Sequence, residues 1–227
     1  MRESHYTDRE AMIVGAHQWP NAIMMGLLGT LSGGTAWLLL HIADAMWLQH
    51  QRLNVLGIDV YFSPMRIVPG IFAGLGIEVH ISPTSVIPGI VFGIMFGIVF
   101  HRHGMMGHLR QLVYLLAAGI SYFIAFHVAS NSFSRWGTGT EILDFALSGI
   151  SAGVAGSLLL GVATTRLAHA AASTVLLTPV AVGGLAGALL TLMHYDTSEF
   201  GWCLLILFAV WQGSYAASVA AIFRRQP

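Results

Sequence analysis

Three histidines close three apolar runs in this chain: His41 after Trp37-Leu-Leu-Leu, His127 after Phe123-Ile-Ala-Phe, and His194 after Leu189-Leu-Thr-Leu-Met193. Each is followed within three residues by a polar side chain, Asp44, Ser130, or Asp196 with Thr197. Neutral imidazole nitrogens on three helices suit copper or zinc, and carboxylates nearby orient such rings. The candidate ligand set is therefore His41, His127 and His194, with Met193 adding a soft sulfur that favours cuprous ion and Asp44, Asp144 and Asp196 as ring-orienting partners.

Other chemistries are closed off by residue type. All ten basic residues are arginine, so no lysine exists for a Schiff base or a phosphate loop. The single cysteine, Cys203, excludes intrachain disulfides, thiolate-only zinc sites, iron-sulfur clusters and covalent c-type haem. No nucleophile, base and orienting residue stand out on one face, so no enzymatic activity is expected.

The elements that must position these histidines are membrane helices. The chain is 56% hydrophobic and 9% charged, a composition of the membrane class. Apolar runs long enough to cross about 30 Å of hydrocarbon at 1.5 Å per residue occur at roughly 21–47, 85–101, 109–130, 142–165, 171–193 and 200–223. The fold expected is all-α: a polytopic bundle of six transmembrane helices, forming a single integral-membrane domain over residues 1–227. The apolar stretch 67–77 is too short to span and reads as a re-entrant or interfacial helix. No small-residue cleavage site follows the first apolar stretch, so the first span is read as retained and residues 1–20 as a polar amino-terminal segment.

Arginine placement sets the expected orientation, because short basic loops stay cytoplasmic. One side collects Arg2, Arg9, Arg102, Arg110, Arg166, Arg224 and Arg225; the other has Arg52, Arg66 and Arg135. Both termini are thus expected on the cytoplasmic side of a bacterial-type inner membrane. The opposite face gathers Asp44, Asp59, Glu78, Glu141, Asp144, Asp196 and Glu199, and there the three histidines are expected to emerge at similar depth.

A tandem repeat, Ser63-Pro64 to Gly74 against Ser82-Pro83 to Gly93, suits two helix starts and makes 48–84 an ordered external connection. Glu78 and His80 lie between the copies, and a transporter or channel reading assigns them to the permeant species. Small residues recur every fourth position at Gly29 and Gly33; Gly89, Gly93 and Gly97; Gly149, Gly153, Ser157 and Gly161; and Gly183 and Gly187. Such stripes serve close helix packing within the chain or a homo-oligomer or partner interface. A second histidine group, His101, His103 and His108, sits in a short basic turn; the turn itself explains it, although the spacing allows a soft metal. Gln212 and Tyr215 form a polar patch in the last span that is expected to bond to a neighbouring helix.

The carboxy-terminal half resembles the MHYT-type bacterial sensor domain. Leu143-Asp144 leads into a small-residue span and Arg166, then Met193-His194-Tyr195 with Thr197 one place late. His127 and His41 occupy the corresponding positions of two further repeats, with Phe126 and Leu40 where the motif has methionine. The resemblance implies a metal- or gas-responsive sensory or accessory subunit that signals through a partner. A transporter and a structural subunit of a larger membrane complex are the competing readings; the lipid bilayer is the expected surrounding, and no nucleic acid is expected to bind.

Overall fold

The computed structural model describes residues 20–47, 51–55, 58–62, 83–167, 172–195 and 201–223. Six helices cover most of them: α1 (Ala22–Trp47), α2 (Pro83–Arg102), α3 (His108–Trp136), α4 (Glu141–Leu167), α5 (Ala172–Gly187) and α6 (Trp202–Phe223). The fifth span changes character partway, because Ala188–His194 continues α5 as a 3-10 helix. Six candidate spans follow from length and hydropathy, the shortest of them 18 residues. Large apolar side chains such as Leu27, Leu31, Leu112, Leu116 and Ile120 point outward and are more than half exposed. Helices that are apolar outside as well as inside need hydrocarbon around them, and the chain is a multi-pass membrane protein.

The connection between α1 and α2 holds one feature unforeseen in the spans. Strands β1 (Gln51–Val55) and β2 (Ile58–Phe62) pair antiparallel, with Val55 opposite Ile58 and Gln51 opposite Phe62. The alternation Arg52-Leu-Asn-Val and Ile58-Asp-Val-Tyr is the period-two signal of such a pair, and Gly57 between them suits a two-residue connection. The short apolar stretch 67–77, together with Glu78 and His80, lies outside the described residues. So do residues 1–19 and Asp196.

Glycines set how the helices meet. A Cβ added at Gly33 would stand 2.6 Å from the Phe208 and Ala209 backbone, and one at Gly93 would stand 2.9 Å from Leu115 Cα. Gly149 faces Gly187, and Gly153 faces Gly183, backbone against backbone. The stripes are therefore used inside the chain, joining α1 to α6, α2 to α3 and α4 to α5 in antiparallel pairs.

The interior is otherwise filled by aromatics around α6. Phe92, Phe96, Phe100, Tyr114 and Tyr215 are almost wholly buried together, while Tyr122, Phe208 and Trp211 form a second cluster nearer the start of α6. The polar patch expected on the last span bonds to neighbouring helices, although the Gln212 Oε1 stays buried without a donor among the described residues. Gln212 Nε2 donates to the Pro88 carbonyl at 3.1 Å, and the Tyr215 hydroxyl lies 3.3 Å from Thr164 Oγ1. Helix α6 thus touches α2, α3 and α4 as well as its neighbours α1 and α5.

Candidate functional site

Antiparallel packing brings the end of α1, the start of α2, the end of α3, the start of α4, the 3-10 segment and the start of α6 to one end of the bundle. His41, His127 and His194 all belong to that half. The principal helix contacts join α1, α3 and the 3-10 segment to other elements rather than to one another.

His41 is bonded within its own helix. Its Nδ1 lies 3.0 Å from the Trp37 carbonyl, and its ring lies 4.2 Å from that of Trp37. Trp37 in turn stacks on Trp202 at 5.3 Å and donates from Nε1 to the Gly201 carbonyl, which fixes the α1 end against the start of α6. His127 repeats the local pattern, with Nδ1 2.8 Å from the Phe123 carbonyl and Phe123 and Phe126 against its ring.

His194 is held differently. Its Nδ1 lies 3.1 Å from Glu141 Oε2, a carboxylate on the first residue of α4, and its ring meets Tyr195 edge-on. Helix geometry explains the pairing. A 3-10 helix turns about 120° per residue against about 100° in an α-helix, so seven residues of it rotate His194 by roughly 140° relative to a continued α-helix. The 3-10 segment packs on α4 and α6, and the Cys203 thiol donates to its Leu192 carbonyl at 3.1 Å.

Depth also separates the rings. Gly156 of α4 lies against Ser121 and Ala125, which puts His127 level with about residues 150–154 of α4; His194 is level with Glu141 itself. The difference is about ten residues, or roughly 15 Å along the axis. Equal distance from the inner start of each span, the basis for expecting a common depth, leaves out the longer rise of the 3-10 segment that carries His194 outward.

Among the candidate carboxylates, Asp144 accepts from the Thr138 hydroxyl at 2.8 Å and from the Thr138 backbone N–H at 3.1 Å. It closes the α3–α4 turn, in which Gly137 and Glu141 bound a short link and Gly137 and Gly139 take positive φ. The carboxylate that orients a histidine is Glu141, three residues earlier, which the sequence placed on the acidic face without assigning it a role. Met193 is exposed beside His194. Asp44 lies in the last turn of α1.

Bonding at Nδ1 has a chemical consequence common to the three rings. A carbonyl or carboxylate accepts, so each neutral ring carries its proton on Nδ1 and its lone pair on Nε2, the tautomer in which Nε2 ligates a metal. Among the described residues no group of three or more His, Cys, Asp or Glu stands close enough to hold a metal ion. The donor set that fits best is one imidazole backed by a carboxylate, His194 with Glu141, in a place 32% and 59% exposed at the two side chains. The chain matches no family model, no curated protein and no solved structure.

Proposed function

We propose that this multi-pass protein is a sensory or accessory subunit of the cytoplasmic membrane whose responsive group is His194, acting as an Nε2 ligand for copper or zinc at the outer end of the bundle. The observation that carries the reading is the 3.1 Å approach of Glu141 to His194 Nδ1. A carboxylate on the far nitrogen fixes the tautomer and raises the basicity of the ligating one. The Met193-His194-Tyr195 sequence, which resembles the MHYT sensor motif, points the same way, and Met193 offers a sulfur donor if the ion is cuprous.

His41 and His127 then act apart from this group, as rings bonded within their own helices. The arginine-poor histidine end is read as the outer one and both termini as cytoplasmic, on the rule that short basic loops stay inside. Because the glycine stripes are consumed by packing within the chain, a signalling partner would use the apolar outer faces.

The test is metal affinity of the purified protein in detergent, in a His101→Ala/His108→Ala background so that the second histidine group contributes nothing. Titrated with zinc or cuprous ion, the chain should bind one equivalent. His194→Ala should remove it, and Glu141→Gln should weaken it about 10–100-fold. Binding that survives His194→Ala, or is absent in the parent background, would overturn the reading.

A further inference from the structure

The opposite end of the bundle holds a second pair of imidazoles, assembled by a rigid turn. Helix α2 ends at Arg102 and α3 begins at His108. Between them the Gly104 N–H donates to the His101 carbonyl at 2.9 Å and the Met105 N–H to the Phe100 carbonyl at 2.9 Å, with Gly104 at φ 69°. This is a Schellman closure, and the hydrophobic contact that accompanies such closures is present, since Met105 packs on the buried cluster that contains Phe100. Met106, next in line, is 2% exposed. The turn is therefore tied to the core on both sides of its glycine.

Two features of this turn act on His101 and His108. The antiparallel register that sets Gly97 beside Gln111 carries His101 to the level of His108, and their ring centroids are 4.3 Å apart. His101 Nδ1 also lies 2.9 Å from the Met106 carbonyl. That bond puts the ring proton on Nδ1 and leaves the lone pair on Nε2, while His108 is solvent-exposed and can turn about its side-chain bonds. Two imidazoles that share one ion at about 2.0–2.1 Å per nitrogen stand roughly 4.5–5 Å apart between ring centres. The observed spacing is within a small pivot of that.

We propose that His101 and His108 form a two-histidine site for a divalent transition-metal ion, copper(II), nickel(II) or zinc(II), with water completing the coordination shell. Imidazole suits these ions, and the pair spans the only covalent link between α2 and α3, so a bound ion staples the two helix ends. Soft sulfur takes no part, because Met105 and Met106 face the core. Arg102 and Arg110 flank the pair and weaken cation binding, and no carboxylate occurs in the sequence between Glu78 and Glu141 to offset them. The site is independent of the one at His194 and of which end faces the cytoplasm.

Copper(II) alone, added to the detergent-purified His194→Ala chain, is the probe. One equivalent should bind and show the electron paramagnetic resonance signature of two imidazole nitrogens. His101→Ala and His108→Ala should each weaken binding at least tenfold and leave a single-nitrogen signal. If the His194→Ala chain is not recovered folded, the same two changes in the parent should each remove one equivalent, and zinc should raise the thermal midpoint of the parent by more than that of His108→Ala, which keeps only the His194 site. Absence of a two-nitrogen signal in both chains, or unchanged affinity after both substitutions, would overturn the site and leave the His194 reading untouched.

Discussion

Histidines gather at both ends of this bundle, and the two ends show how differently a helical membrane protein brings side chains together. At one end three rings sit on elements whose principal contacts are with other helices, and each finds its own acceptor: Trp37, Phe123 or Glu141. At the other, two rings come from helices joined by five residues and lie in direct contact. Chain connectivity makes the second arrangement nearly automatic, since a short turn between antiparallel helices fixes the register of the residues that flank it. Shared location on separate helices carries no such guarantee; rotation about each axis and packing order decide whether the rings meet.

The largest break in this contrast is expected from Gly187→Leu. A Cβ there collides with the Gly149 carbonyl, backbone that has nowhere to move, so the α4–α5 contact should open and carry His194 away from Glu141. A loss of about 3 kcal/mol or more is expected, read as a fall in thermal midpoint and in the yield of monodisperse protein. Gly34→Ala is the control, because its nearest contact is the tip of Leu205 at 4.0 Å, and it should be neutral or slightly stabilising.

A smaller effect, confined to the other end, is expected from Gly104→Ala. Nothing lies within 4 Å of the added methyl, so the cost is the left-handed backbone alone, about 1 kcal/mol. Thermal unfolding reads that cost; copper(II) titration then shows whether His101 and His108 depend on the closed turn. Equal binding with an unchanged midpoint would mean that the glycine does not set the geometry.

The smallest expected effect is on pH. Partial burial holds His103 below its usual value of 6.5, so the folded state prefers the neutral ring. The unfolded chain takes up its proton first as pH falls, which makes this contribution to stability complete above about 6.5 and lost through the window just below it. His103→Gln should flatten the slope of thermal midpoint against pH there, and an unaltered slope would remove His103 as its source.

Much of the architecture is legible in the sequence because a membrane demands it. Six runs of apolar residues are hard to place otherwise, and the glycine spacing at Gly149, Gly153, Gly183 and Gly187 already marks the tight α4–α5 contact. Gln212, costly to bury unpaired, announces a bond to a neighbouring helix, which proves to be with Pro88. The functional end is less legible for physical reasons. No residue type reports that the fifth span overwinds at Ala188, yet that change decides that His194 meets Glu141. Asp144 looks like a ring-orienting carboxylate by spacing, but Thr138 in the adjoining turn is nearer and offers two donors. The strand pair 51–55 and 58–62 carries a readable signal in its alternation, but it is too short and too polar to stand out as an apolar run.

The 3-10 segment also adds length. At about 2.0 Å per residue its seven residues reach roughly 14 Å, where an α-helix would reach about 10.5 Å, so the segment reaches about 3.5 Å further. Its anchors are Gly187 locked against Gly149 at one end and His194 on Glu141 at the other, with the Cys203 thiol gripping Leu192 between. That extra reach carries His194 out to the first residue of α4, where Glu141 stands.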